Sequence, residues 1–316
     1  MILKDYYLTE VKNQFRASER KWKRSKQSLF IGIGLILVSI LSFWGLIGMS
    51  KIVGVFLLGG AVYLIWVVYF SYSWDALKKD FREKVIRKIV NQVNPEWEYY
   101  PNQKVGRSLY LQSGLIDEED DVYKGNSLIR GKIGQTLFES SAIHTIRRRV
   151  NFNDSGKLKG EWHTIFQGLF FHADFNKHFK GQTYVLPDFA EKNLGHWGRF
   201  LQAGTSKGQL IRLENIDFER EFVVYSTNQV EARYIITPVI MKAMLEIRQY
   251  FKVPVYFSFV GNSVFCAANF DANVYGLPFI ETELYFNKFK HIHQIVKGNM
   301  KLIEALQLNT RIWTKE

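Results

Sequence analysis

Two long uncharged apolar runs near the start of the sequence constrain this chain more than any other feature. The first, from Ser28 to Gly48, holds 21 residues, and the second, from Ile52 to Ser73, follows after three residues. A helix rises about 1.5 Å per residue, so each run is long enough to cross a hydrocarbon core of about 30 Å. Because backbone N–H and C=O groups inside a bilayer must bond within the segment, we predict a transmembrane helical hairpin over residues 28–73.

Basic residues flank both runs and predict their orientation. Seven Lys or Arg residues lie within the 20 positions before Ser28, six lie within the 20 positions after Ser73, and the turn between the runs holds only Lys51. Since basic flanks stay on the cytoplasmic side, we predict that both termini are cytoplasmic. The single cysteine, Cys266, excludes an intramolecular disulfide and agrees with a reducing compartment.

The segments on either side of the runs read as basic amphipathic helices, over residues 1–27 and 74–94. Each carries an apolar stripe with spacings of three and four, formed by Leu3, Tyr7, Val11, Phe15, Ser18 and Trp22 in the first and by Trp74, Leu77, Phe81, Val85, Ile89 and Val93 in the second. Pro95 ends the second helix. Three arrangements are open: the stripes pair as a short stalk, lie flat on the lipid, or join copies of the chain in a homo-oligomer.

Residues 95–316 are predicted to form an α+β domain. Its strands are indicated by β-branched and aromatic runs separated by Gly, Asn and Asp, at residues 122–131, 136–150, 162–175, 182–187, 209–213, 222–226, 253–260 and 263–269. The last two are joined by Gly261-Asn262, which favours a hairpin. Thr237 and Pro238 are typical of a helix start, and a last helix is expected over about residues 283–308. The pattern therefore favours antiparallel strands with a central and a C-terminal helix.

Two stretches of this domain resemble a known family. They are FQGLFFHADFNKHFKG, residues 166–181, and FEREFVVYSTNQVEARYIITP, residues 218–238. Both are similar to the signature stretches of a bacterial membrane protein family of unknown function, number thirty-one thirty-seven in the unknown-function series. The resemblance implies two spans, a cytoplasmic domain and a place in the bacterial inner membrane, and it implies no established activity. It also implies a LemA-type membrane protein as a partner, because genes of the two kinds are often neighbours.

The first stretch supplies one group of candidate binding residues, Asp174, Asn176, Lys177 and His178. With His172 they contain the pattern H-x-D-x3-H, and two imidazoles with a carboxylate can bind a divalent transition metal. On a strand, residues 172 and 174 share a face, whereas 178 lies beyond the strand end. We favour a strand end followed by a polar turn, so no metal site is predicted.

The second stretch supplies Tyr225, Glu231 and Arg233. Glu231 and Arg233 lie in VEARY, between a strand and the helix that Pro238 starts. Two positions apart, they point the same way on a strand but not on a helix. A strand would indicate an acid or base with a charge clamp in a cleft. The favoured interpretation is an ion pair that fixes the junction, with Tyr225 and the polar residues after it bonding to the backbone.

Absent motifs weaken most enzymatic interpretations. The sequence contains no phosphate-binding glycine loop, dinucleotide fingerprint, H-E-x-x-H or G-x-S-x-G pattern, so no catalytic residue and no cofactor are predicted. The net charge of +12 is concentrated near the apolar runs, and nucleic acid is not expected as a partner. We therefore expect a membrane-anchored cytoplasmic binding or scaffold module that contacts the lipid bilayer and a protein partner. The alternative is a membrane-anchored hydrolase or metal-dependent enzyme that uses Asp174, His178, Glu231 and Arg233.

Overall fold

The computed structural model describes most of the chain, which forms two compact units. The described residues are 3–43, 49–116, 120–152, 158–175, 178–188, 207–270, 274–277 and 286–306. One unit comprises residues 1–88 with 277–290, and the other comprises residues 89–276 with 291–316. The first unit is helical, and the second contains the sheet.

The helical unit is built from the segments that the sequence assigns to helices. It begins with α1 (Leu3–Tyr6), a π-helical stretch (Tyr7–Lys12) and α2 (Asn13–Phe43). After residues 44–48, which lie outside the described residues, come α3 (Met49–Asp80), a second π-helical stretch (Phe81–Ile86) and α4 (Arg87–Val93), whose last residues belong to the second unit. The predicted flanking helices and both apolar runs are thus helical wherever they are described.

The two apolar stripes pack against each other. Trp22 and Trp74 have ring centroids 4.7 Å apart, and Phe15 meets Phe81 edge to face at 5.7 Å. At the polar margin Lys88 forms an ion pair with Glu10 at 2.9 Å. This pairing matches the first of the arrangements left open by the sequence, since rings of one stripe pack on rings of the other. Among the residues that the structure describes, no helix is both long and apolar enough to cross a membrane.

The second unit contains a nine-stranded antiparallel sheet in the order β1-β2-β3-β4-β9-β8-β5-β7-β6. Its strands, in chain order, are β1 Glu98–Tyr100, β2 Val122–Ile133, β3 Thr136–Phe152, β4 Leu158–Asp174, β5 Gln182–Pro187, β6 Gln209–Ile211, β7 Phe222–Ser226, β8 Val255–Val260 and β9 Ser263–Asn269. The predicted strands are confirmed with shifts at their ends. The β1 strand was not anticipated because it has only three residues.

Five further described helices follow α4 in the chain: α5 (Arg107–Gln112), α6 (Ile216–Glu221), α7 (Gln229–Ile235), α8 (Pro238–Phe251) and α9 (Phe286–Ala305). The predicted start of α8 is confirmed, since the Thr237 hydroxyl oxygen accepts a hydrogen bond from the Ile240 amide at 3.3 Å. The last helix is also confirmed. The short helices α5 and α6 were not predicted and α7 was left open between helix and strand, because six or seven residues give too little periodicity.

The core lies on both faces of the sheet. On one face α5 inserts Tyr110, which is buried and lies 5.3 Å from the Phe170 ring of β4. On the other face Cys266 of β9 is paired with Phe257 of β8, and burial raises the pKa of its thiol. Both faces are therefore buried at the centre of the sheet.

Candidate functional site

The VEARY segment forms helix α7, and this decides how its charged residues point. Asn228 caps the helix: its side-chain oxygen accepts a hydrogen bond from the Glu231 amide at 3.1 Å. An asparagine at this position satisfies one of the free N–H groups of the first turn. Because residues two apart on a helix face different directions, Glu231 and Arg233 contact different partners.

The Glu231 carboxylate acts as an acceptor for the backbone that leads into β5. One oxygen accepts from the Gly181 amide at 2.7 Å, and the other accepts from the Lys180 amide at 3.1 Å. Arg233 donates instead to the carbonyl oxygen of Arg212 at 2.9 Å. These contacts match a structural role at the junction, but through the backbone rather than through the predicted ion pair.

A pocket of about 590 Å³ opens beside this junction, lined by residues 180–181, 208–209 and 226–230. Its polar groups are engaged in the fold. Thr227 accepts from the Gln182 amide at 2.9 Å, and the Ser226 hydroxyl donates to the Gln182 carbonyl at 3.0 Å. Gly181 is required there, since an added Cβ would lie 2.7 Å from the Asn228 Cβ. The pocket therefore presents satisfied backbone and amide groups.

The outer side of α7 carries two exposed apolar side chains beside the exposed polar residues Gln229 and Arg233. Val230 is 81% exposed and Tyr234 is 53% exposed. They are four positions apart and so lie on the same side of the helix. Leu210 on the neighbouring edge strand β6 is 44% exposed. We call these three residues the α7 face.

A second pocket, of about 740 Å³, lies at the ends of β1 to β4 and β9. It contains a row of ionisable side chains, because Glu98, Arg130, Glu139 and His172 lie directly opposite one another on successive strands. Arg130 Nε lies 3.1 Å from Glu139 Oε2. Alternating charge across adjacent strands stabilises their pairing. We call this the His172 pocket.

His172 is the central polar group of this pocket. Its Nε2 lies 3.0 Å from the Ser263 hydroxyl oxygen, and its Nδ1 lies 4.0 Å from Glu139 Oε1. Burial lowers the pKa of His172, while the nearby carboxylates of Glu139 and Asp174 oppose that shift. Asp174 lines the same pocket and accepts from the Asn262 side-chain amide at 3.3 Å. Burial therefore favours the neutral imidazole.

The predicted site residues are distributed rather than gathered. Asp174 shares a strand face with His172, as expected, and His178 is exposed beyond the strand end. Tyr225 lies half-buried on β7 against the core. Asn176 and Lys177 lie outside the described residues. Among the residues that the structure describes, no group of three or more His, Cys, Asp or Glu side chains could hold a metal ion.

Sequence reasoning missed Glu139 and Ser263 as partners of His172. Glu139 is on β3 and Ser263 begins β9, so the three residues come from three strands that are well separated in sequence. Their contacts depend on strand register, which no local motif encodes. The Gly261-Asn262 turn gave a weak signal for Ser263, because this hairpin turn fixes Ser263 as the first residue of β9.

Comparison with known proteins extends the resemblance noted in the sequence. Residues 164–308 match the family described as "Protein of unknown function (DUF3137)". Both stretches quoted above lie inside this match, so the family resemblance is confirmed, and the match covers just under half of the chain. No curated protein matches. The crystal structure of the mycobacterial trehalose monomycolate transport factor A, TtfA, is similar with 8% identity and a TM-score of 0.34, over 72% of this chain and 97% of that chain.

Proposed function

We propose that this chain is a membrane-anchored cytoplasmic binding module whose α7 face contacts a protein partner. The observation that carries the proposal is the exposure of Val230 and Tyr234 on a helix that is firmly fixed. Asn228 caps this helix, and Glu231 holds it to the backbone at residues 180–181. A rigid support for exposed apolar side chains reduces the entropy lost when a partner binds.

The proposed anchor comprises the apolar runs of residues 28–73. In support, residues 28–43 belong to helix α2 and residues 49–73 belong to helix α3. The basic flanks on both sides favour cytoplasmic termini, and the family resemblance suggests the bacterial inner membrane for the proposed anchor. The paired stripes of residues 1–27 and 74–94 would then act as a short stalk next to the lipid, and their cations would add attraction to anionic headgroups.

The proposed partner is another membrane protein, and the family resemblance suggests a LemA-type protein. A second copy of this chain is the other outcome that the experiment below distinguishes. Nucleic acid is not part of the proposal. Nor is a common cleft of Asp174, His178, Glu231 and Arg233, because Asp174 lines the His172 pocket while Glu231 and Arg233 bond to separate backbone groups.

Photocrosslinking in native membranes tests the contact. A photoreactive amino acid is placed at Val230, at Tyr234 and, as a matched control, at Val150, which is also exposed at 54% but lies on β3. We expect a discrete adduct from the first two positions and none from the third. An adduct of twice the chain mass would identify a homo-oligomer. Equal yields from all three positions, or no adduct from any, would contradict the proposed contact surface.

Alkaline extraction and protease protection test the anchor. We expect the chain to stay in the membrane pellet at high pH and the sheet-containing unit to resist protease added outside intact spheroplasts. Release of the chain into the supernatant, or its digestion from outside, would contradict the proposed anchoring or orientation.

A further inference from the structure

The His172 pocket holds three side chains in the order that nucleophilic catalysis requires. Ser263 Oγ lies 3.0 Å from His172 Nε2, within hydrogen-bond distance. On the other side of the imidazole, His172 Nδ1 lies 4.0 Å from Glu139 Oε1. A hydroxyl, a base and a carboxylate that orients the base are the recurring parts of such sites, and their contacts are often longer without substrate.

The surroundings favour one arrangement of protons. The Glu139 carboxylate faces Nδ1, so the ring proton is favoured on that nitrogen and Nε2 is left as an acceptor for the Ser263 hydroxyl. The second oxygen of Glu139 is held by Arg130 at 3.1 Å, which fixes the carboxylate in place. Burial lowers the pKa of His172 and keeps the imidazole neutral, as a general base must be.

The pocket also defines the class of molecule that could reach Ser263. Its volume is about 740 Å³, and its walls combine the apolar side chains of Leu109, Leu137 and Phe138 with charged ones that include Glu98, Arg130 and Lys132. Asn262 precedes Ser263 and lines the same pocket, where its side-chain amide donates to Asp174 Oδ1 at 3.3 Å and keeps a second N–H for a bound molecule. The apolar part of this wall suits the acyl group of a carboxylic ester, and the charged part suits a polar leaving alcohol.

We propose that Ser263, His172 and Glu139 form an acyl-transfer site for such esters, an activity that goes beyond the proposed binding function. Ser263 Oγ attacks the ester carbonyl carbon while His172 Nε2 accepts the hydroxyl proton. The bond to the leaving alcohol breaks, and His172 returns the proton to that alcohol. Water then attacks the acyl-serine, giving its proton to His172, which passes it to Ser263 Oγ as the acid is released. Glu139 is a positioning residue that orients the imidazole.

Labelling with a fluorophosphonate probe tests the nucleophile in the full-length chain purified in detergent. The Ser263 oxygen would bond to phosphorus and expel fluoride, and peptide mass spectrometry would locate the adduct. We expect the adduct on Ser263 of the wild-type protein, so this first result does not depend on the folding of any variant. An absent adduct, or an adduct on other residues only, would overturn the proposal.

Variants then separate catalysis from structure. Ser263→Ala should abolish labelling, and His172→Gln should slow it by about a hundredfold, a typical contribution of a general base. Ser140→Ala is the matched control: Ser140 is buried next to Glu139 on β3, and its hydroxyl has no hydrogen-bond partner among the described residues. It should label at the wild-type rate. Unchanged labelling in His172→Gln would overturn the assigned base.

The positioning role of Glu139 has its own readout. Because its negative charge favours protonated His172, Glu139→Gln should move the midpoint of the pH profile of labelling to lower pH. A purely structural role would lower the labelling rate without moving that midpoint, and this result would overturn the role assigned to Glu139. Hydrolysis of p-nitrophenyl butyrate should follow the same order of variants as labelling. Hydrolysis that persists in Ser263→Ala would contradict the acyl-serine step.

Discussion

Replacing Glu231 with alanine should loosen the backbone at residues 180–181 without disturbing the rest of the sheet. The wild-type carboxylate accepts a partly buried bond from Gly181 at 2.7 Å and an exposed bond from Lys180 at 3.1 Å. Net hydrogen-bond energies suggest about 1.5 kcal/mol for the first and about 0.5 kcal/mol for the second, after allowance for its exposure. The local loss is therefore about 2 kcal/mol, which corresponds to roughly thirtyfold in an opening equilibrium.

Hydrogen exchange measured by mass spectrometry on peptides that contain Lys180 and Gly181 is the direct assay. We expect these amides to exchange roughly thirtyfold faster in Glu231→Ala, and to a smaller extent in Glu231→Gln, which keeps one acceptor oxygen. The matched control is Glu246→Ala, an exposed glutamate on α8, which should leave the two amides unchanged. If Glu231→Ala and Glu246→Ala give the same exchange rates, the carboxylate does not hold this backbone and the argument is wrong.

Further substitutions test other parts of the structure by urea unfolding of the full-length chain in detergent. Gly208→Ala should lower the free energy of unfolding by about 2 kcal/mol or more. Gly208 has a φ of +99°, and an added Cβ would lie 2.2 Å from the Ser226 carbonyl oxygen. Wild-type stability of this variant would contradict that geometry. Phe170→Ala should cost about 3–5 kcal/mol as a fully buried core ring, and a loss below about 1 kcal/mol would refute its burial. Thr237→Ala should lower the free energy of unfolding by about 1 kcal/mol, because the cap of α8 is lost. An unchanged free energy would show that the hydroxyl makes no such bond. Burial lowers the pKa of His172 in the folded state, so the unfolded chain binds the proton more strongly. The free energy of unfolding should therefore fall as the pH drops below the unfolded-state pKa of about 6.5. His172→Gln should flatten this part of the pH profile, and an equally steep profile in the variant would count against the buried neutral imidazole.

The sequence predicted the regular elements well where a signal repeats over several turns or strand residues. The stripe that includes Phe15 and Trp22 predicted a long helix, and strands β5 and β7 were predicted with their observed ends. Thr237 and Gly261-Asn262 marked a helix start and a hairpin turn. These features are local, because a cap or a turn depends on a few neighbouring residues.

The VEARY segment shows where local signals were insufficient. Its residues fit a strand or a helix by composition, and the helix is fixed by the Asn228 cap and by backbone amides at residues 180–181. Glu231 was identified from the sequence as a notable residue, but its partners were not, since Lys180 and Gly181 lie about 50 positions away in the chain. Its role follows from the fold and not from the motif.

The sequence by itself determined that two charge-free helical runs, basic amphipathic flanks and a strand-rich domain follow one another, because periodicity and charge act through neighbours along the chain. Only the tertiary structure decided that the two stripes pack together and that Glu139, His172 and Ser263 meet at one end of the sheet. The physical reason is strand register: a shift of one residue would turn each of these side chains to the opposite face. Register is set by packing across the whole sheet, so no segment read alone could specify it.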